Sequence, residues 1–106
     1  MSNIINIDKK NYADYANKEK LLIIDFWAYW CGPCKAFSPI FEAASVEHQN
    51  DFIFGKVNAD EESELCKDFG IRGIPTIVVV KKEKVIAQRV GAMTKSQFEE
   101  FLKELR

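Results

Sequence analysis

No apolar run in this sequence approaches the ~18 residues that a membrane span needs. Charge of one sign is also missing: 15 Lys and Arg stand against 16 Asp and Glu, for a formal net charge of −1. That balance argues against a nucleic-acid partner and leaves no polybasic patch for a membrane surface. Glycine and proline are scarce, at five and three, and fall singly at places that look like element ends. No flexible linker, repeat or low-complexity tract divides the chain. A G-x-G-x-x-G fingerprint and a P-loop are both missing, so no nucleotide site is expected. Met1 to Lys10 mixes polar and charged residues where a secretory signal needs a continuous apolar stretch. A soluble, cytoplasmic protein is expected. Three cysteines, an odd number with two of them close together, do not look like the paired framework of a small secreted domain.

What the sequence does hold is a core. Its 47% hydrophobic and 12% aromatic content excludes intrinsic disorder, and 106 residues suit one domain spanning 1–106. After a short apolar stretch, Ile4 to Ile7, Asp8 can cap a first helix running to about Asn17, with Tyr12, Tyr15 and Ala16 as its apolar stripe. Leu21 to Ala28, LLIIDFWA, is almost continuously apolar, as expected of a central strand covered on both faces in a parallel sheet. Phe37, Phe41 and Ala44 recur at helical spacing, with Ile40 beside them, so a long helix should run from Cys34 to about His48, with a kink at Pro39. Phe52 to Asn58 reads as the next strand, and a right-handed parallel crossover is the favoured connection. Asp60 can cap a short helix, Glu61 to Phe69, ended by Gly70. Thr76 to Val80 and Val85 to Val90 are β-branched runs joined by Lys81 to Lys84, a hairpin with a four-residue connection. Thr94 with Gln97 makes a capping box, and Phe98, Phe101, Leu102 and Leu105 form the face of a final amphipathic helix.

The chemistry sits at the turn between the central strand and the long helix. Cys31 and Cys34, two residues apart, can close a small disulfide ring. Free backbone N–H groups and the positive end of the helix dipole favour the Cys31 thiolate, the species that attacks disulfides. Cys31 is therefore the candidate nucleophile, and Cys34, one turn inward, the resolving thiol. The reaction needs no metal or bound cofactor. Half of a zinc site is the competing reading, with His48 and Cys66 as the remaining soft or imidazole ligands, but structural zinc usually takes a second close pair. Haem attachment fails because Lys35 follows Cys34. Asp25 is the anomaly of its strand: a carboxylate in mid-strand usually marks a solvent face, yet Leu22, Ile23, Ile24, Phe26 and Trp27 leave little polar surface. Burial should raise its pKa until it can exchange a proton near neutral pH.

WCGPCK at Trp30 to Lys35, DFWA at Asp25 to Ala28 and GIRGIPT at Gly70 to Thr76 together resemble the thioredoxin family. The match runs over nearly the whole chain, with Pro39, Lys56 and Gly91 in the family's places. The resemblance implies an α/β thioredoxin fold, a five-stranded mixed sheet in the order β1-β3-β2-β4-β5 flanked by four helices. It implies a thiol–disulfide oxidoreductase, and Gly32 and Pro33 between the cysteines favour the reductant direction. Asp25 becomes the base that activates Cys34, and Lys56 its partner lysine, against the plainer reading of a strand-end cation.

The resemblance further makes the bond before Pro75 cis and turns it toward the cysteines, leaving the Ile74 backbone to pair with an extended substrate segment. Trp30, Gly32, Pro33, Gly73, Ile74, Gly91 and Ala92 match the family's apolar docking rim. Trp27 is expected beneath the site, and Trp30 at the surface rather than in the core. The implied partners are a flavin-dependent thioredoxin reductase using NADPH and disulfide-containing proteins such as ribonucleotide reductase, peroxiredoxin and methionine sulfoxide reductase; a monomer is expected. Family members also serve as rigid binding modules in which the cysteines are dispensable. Two readings stand for Cys66, a small buried hydrophobe on the third helix or a partner in a regulatory or intermolecular disulfide, and His48 is assigned no role. Tyr29 departs from the family's smaller or acidic residue before the tryptophan, and KKEK at 81–84 lacks the usual hairpin glycine.

Overall fold

Strands that must be buried on both faces have to sit at the centre of a sheet with helices above and below, and Leu21–Trp27 does so. The computed structural model describes residues 3–106. Its elements run β1 (Ile4–Asn6), α1 (Tyr12–Ala16), β2 (Leu21–Trp27), α2 (Gly32–Glu47), β3 (Phe52–Asn58), α3 (Ser63–Asp68), β4 (Thr76–Lys81), β5 (Lys84–Val90) and α4 (Lys95–Glu104). The sheet order is β1-β3-β2-β4-β5. β1 and β2 pair with β3 in parallel, while β4 pairs antiparallel with β2 and with β5. No described helix is long and apolar enough to cross a membrane.

The strand alternation splits the core in two. Ile23, Phe52, Phe54, Ile77 and Val79 face one way, where Phe37 and Phe41 of α2 and Phe98 and Leu102 of α4 close over them. Leu22, Ile24, Phe26, Val57 and Val78 face the other way, against Ala16 of α1 and Leu65 of α3. Each such side chain taken fully from water contributes about 1.5–3 kcal/mol. By the same alternation Asp25 falls on the α2 face, in register with Lys56 of β3. The capping box expected at α4 is present: the Gln97 N–H donates to Thr94 Oγ1 at 3.1 Å, and the Thr94 N–H to Gln97 Oε1 at 2.9 Å.

Four local expectations are corrected. The long helix starts at Gly32, not Cys34, because Cys31 itself is the N-cap and Pro33 suits the first turn. Asp60 does not cap α3, which begins only at Ser63. Asn58 Oδ1 instead accepts the N–H groups of Asp60 and Glu61, so a turn follows β3 before the helix can start. The hairpin has a two-residue connection rather than four: Lys82 and Glu83 take positive φ values of 49° and 66°, the type I′ geometry usually given to Asn and Gly. Tertiary contacts hold that turn. The Glu83 N–H donates to the Ala16 carbonyl at 2.9 Å, and Lys82 Nζ lies 3.7 Å from Glu19 Oε1. At the first helix, Asp8 acts one turn early, accepting the Lys10 and Asn11 N–H groups at 2.8 Å each, so α1 itself spans only Tyr12–Ala16.

Candidate active site

Where β2 ends, the chain turns out of the sheet and α2 begins, and this turn carries the two close cysteines. Cys31 and Cys34 are bonded to each other, with Cα atoms 5.2 Å apart. Cys31 is extended at the N-cap (φ −87°, ψ 109°), and its Sγ accepts the Cys34 N–H at 3.2 Å. A sulfur there sits at the positive end of a 16-residue helix, where a partial charge of about +0.5 favours an anion. The pair can therefore cycle between a disulfide and a dithiol, exchanging two electrons and two protons. Both residues are nearly enclosed, at 4% and 3% exposure. They pack with Ala28 and, around it, with Trp27 and Ile74.

The loop between α3 and β4 closes over the pair. Its Ile74–Pro75 bond is cis, Pro75 is buried, and the Ile74 carbonyl oxygen lies 3.7 Å from Cys31 Sγ. Thr76 Oγ1 donates to the Gly73 carbonyl at 2.5 Å, and the Gly91 N–H donates to the Pro75 carbonyl at 2.8 Å. Gly91 is thereby held against the cis-proline loop, and Ala92 follows it at the surface. Gly32 and Pro33 are exposed. Trp30 is 70% exposed, a surface side chain rather than a core one, and its indole Nε1 donates to Asp60 Oδ2 at 3.0 Å. Trp30, Gly73 and Ile74 line an open groove of about 390 Å³ with Cys66, Ile71 and Arg72.

Behind the cysteines lies a second, smaller cavity of about 240 Å³. Asp25, Cys34, Lys35, Ser38 and Lys56 line it, with the rings of Trp27 and Tyr29 closing it. Asp25 is only 1% exposed, and its Oδ1 has no hydrogen-bond partner. Burial pushes its pKa up from 3.8 to about 7, against the opposing pull of Lys56. At that value the carboxyl is poised to take or give a proton near neutrality. Lys56 does not pair with it directly. Its Nζ donates to Ser38 Oγ at 3.1 Å, stands 4.0 Å from Glu42 Oε1 and lies 5.5 Å from the centre of the Trp27 ring.

The sequence reading did not single out Ser38, Glu42 or the Asp60 contact with Trp30. A signal for the first two was present: Cys34, Ser38 and Glu42 succeed one another at i+4 and so share one face of α2. Cys66 is half-buried and free. Burial, then the negative charges of Glu62 and Asp60, push its thiol up and keep it protonated; its Sγ lies 3.9 Å from the Ala59 carbonyl. His48 caps the far end of α2. Its Nδ1 receives Arg106 at 2.6 Å, and its Nε2 meets Glu99 Oε1 at 2.8 Å. A guanidinium can only donate, so Nε2 carries the hydrogen. Glu47, His48 and Glu99 bring possible metal-ligand atoms within 4.8 Å of one another, but Lys95 already stands 3.9 Å from Glu47.

The sequence model of the family described as Thioredoxin matches residues 3–104. A thioredoxin of Buchnera aphidicola subsp. Acyrthosiphon pisum is 38% identical over 105 residues, 98% of this chain and 97% of that protein. Thioredoxin 2 of Chlorobaculum tepidum is 37% identical over 97 residues, 92% of this chain and 89% of its own length. Among solved structures, the thioredoxin of Malassezia sympodialis (Mala s 13) superposes with a TM-score of 0.89 at 32% identity, covering 98% of this chain and 91% of that one.

Proposed function

This chain belongs to the thioredoxin family of thiol–disulfide oxidoreductases, and from that premise we propose that it is a reductant of protein disulfides, recharged by a flavin-dependent thioredoxin reductase that draws on NADPH. The observation that carries the reading is the cysteine pair at the head of α2 with a buried, protonatable Asp25 in the same cavity as Cys34.

In this reading the reduced protein presents the Cys31 thiolate, stabilised by the Cys34 N–H and the helix dipole. It attacks one sulfur of a substrate disulfide, forming a Cys31–substrate bond and releasing the other substrate sulfur as a thiolate. Asp25, ionised at that moment, takes the Cys34 proton. The Cys34 thiolate then attacks Cys31 Sγ, the mixed disulfide breaks, and the second substrate thiolate leaves. Two electrons have passed to the substrate, and the Cys31–Cys34 bond is formed. Lys56 tempers the charge that Asp25 carries.

The substrate approaches over Trp30, Gly32, Pro33, Gly73, Ile74, Pro75, Gly91 and Ala92, with the Ile74 backbone offered to an extended segment. Ribonucleotide reductase, peroxiredoxin and methionine sulfoxide reductase are the substrate types this role fits, for a monomeric carrier in the cytoplasm. Insulin reduction coupled to NADPH and a thioredoxin reductase tests the reading. Wild-type protein is expected to turn over, Cys31→Ser to be inactive, and Cys34→Ser to accumulate a mixed disulfide. Normal turnover by Cys31→Ser sinks the proposal.

A further inference from the structure

Asp25 and Lys56 are register neighbours on β2 and β3, on the same face of the sheet, and a buried carboxylate beside an ammonium ordinarily closes into an ion pair. Here it has not. The Asp25 oxygen Oδ1 is unpartnered, while the Lys56 ammonium is engaged by three other groups: Ser38 Oγ at 3.1 Å, Glu42 Oε1 at 4.0 Å and the Trp27 ring at 5.5 Å. Ser38 Oγ in turn lies 3.4 Å from Glu42 Oε1, so the two side chains form one receiving unit on α2.

We propose that Ser38 and Glu42 are positioning residues that hold the Lys56 ammonium on α2 side chains and keep it from closing an ion pair with the Asp25 carboxyl. The inference rests on the reading of Asp25 as the base for Cys34, and deepens it. A base that must collect a proton from a thiol loses its purpose if a lysine locks it as an anion, and it loses its charge altogether if no cation is near. Tethering the lysine at intermediate range keeps the carboxyl between these limits. Ser38 supplies the geometry, because its hydroxyl fixes the ammonium by a hydrogen bond. Glu42 supplies the charge that makes this position competitive with Asp25.

The other charged and titratable groups around the carboxyl leave this division intact. Lys35 and Cys34 face the cavity from α2 and Tyr29 from the turn before it. The β4 neighbour of Asp25 is Ile77, which carries no charge. Asp8, Glu61 and Glu62 border a second cavity of about 230 Å³ that Lys56 also lines, so the carboxylates there also compete with Asp25 for the ammonium.

A double-mutant cycle on the oxidised protein tests the tether, with the Asp25 carboxyl carbon followed by NMR against pH. Ser38→Ala frees Lys56 to approach Asp25 and is expected to lower the Asp25 midpoint by about one pH unit, a tenfold weaker hold on the proton. Lys56→Met alone should raise it. In the Lys56→Met background, Ser38→Ala should leave the midpoint in place. A hydroxyl acting only through packing or hydration of the cavity would move the midpoint equally in both backgrounds, and that result, or no movement in either, overturns the proposal. Glu42→Gln, at an exposed position, should move the midpoint down as Ser38→Ala does and serves if that variant does not fold. The titration requires no turnover. An Asp25 that responds as stated in a protein unable to reduce insulin would leave the tether standing and refute the proposed function; the reverse pattern would do the opposite.

Discussion

Replacing Asp25 by Asn is expected to stabilise the oxidised protein at neutral and alkaline pH and to have little such effect in acid. The carboxyl lies under α2 at 1% exposure, with one oxygen unpartnered. Burial raises its pKa from 3.8 to about 7, and Lys56 offsets only part of that. A group that holds its proton more tightly when folded favours folding fully below its unfolded pKa, and this contribution is lost as pH rises through the folded value. The loss therefore runs between about pH 4 and pH 7. At about 1.36 kcal/mol per pKa unit, a rise from 3.8 to about 7 amounts to roughly 4 kcal/mol. An amide of the same shape does not titrate and escapes the penalty. Guanidinium unfolding of both oxidised proteins, at constant ionic strength and a series of pH values, reads the difference directly. The advantage of Asn should grow by up to about 1.4 kcal/mol per pH unit across that window and level off above it. A flat difference refutes desolvation as the cause. A difference that shrinks as pH rises means that the folded protein prefers the anion, as a closed Asp25–Lys56 pair would.

Two further perturbations probe the frame around the site. A Cβ on Gly55 of β3 would stand 2.7 Å from Ile7 Cγ1 and 3.4 Å from the Ile5 carbonyl, so Gly55→Ala should cost about 1–3 kcal/mol by overpacking. Much of that cost should vanish in combination with Ile7→Ala, and simple additivity of the two denaturation midpoints would refute the steric account. At the hairpin, Lys82→Asn with Glu83→Gly relieves two side chains from left-handed backbone and should stabilise the protein by about 1 kcal/mol, net of the glycine entropy. A lower melting temperature in that variant would show that the Lys82–Glu19 contact matters more than the backbone.

Much of the architecture was legible because its signals are local. An uninterrupted apolar strand, Leu21–Trp27, demands cover on both faces. A CXXC after it with helical spacing beyond places two thiols at a helix head. Thr94 and Gln97 three residues apart announce a helix start. Asp25 stood out by contrast with its neighbours, and its burial follows from theirs. The two-residue turn at Lys82–Glu83 is not legible in KKEK because nothing there asks for positive φ; the turn is held by Ala16 and Glu19, more than 60 residues away in sequence. Asp60 looked like a helix cap because its type suits one, but Asn58 takes the turn and Asp60 goes to Trp30.

The sequence by itself determined the order of strands and helices along the chain, the chemistry of the cysteine turn and the presence of a carboxyl among apolar neighbours, since each depends on periodicity or on immediate neighbours. Only the tertiary structure decided where the Lys56 ammonium rests. Ser38 and Glu42 come from α2, Asp25 from β2, Asp8 from the segment after β1, and Glu61 and Glu62 from the turn after β3, and which of them wins a flexible lysine depends on distances of a few ångströms that no single segment encodes.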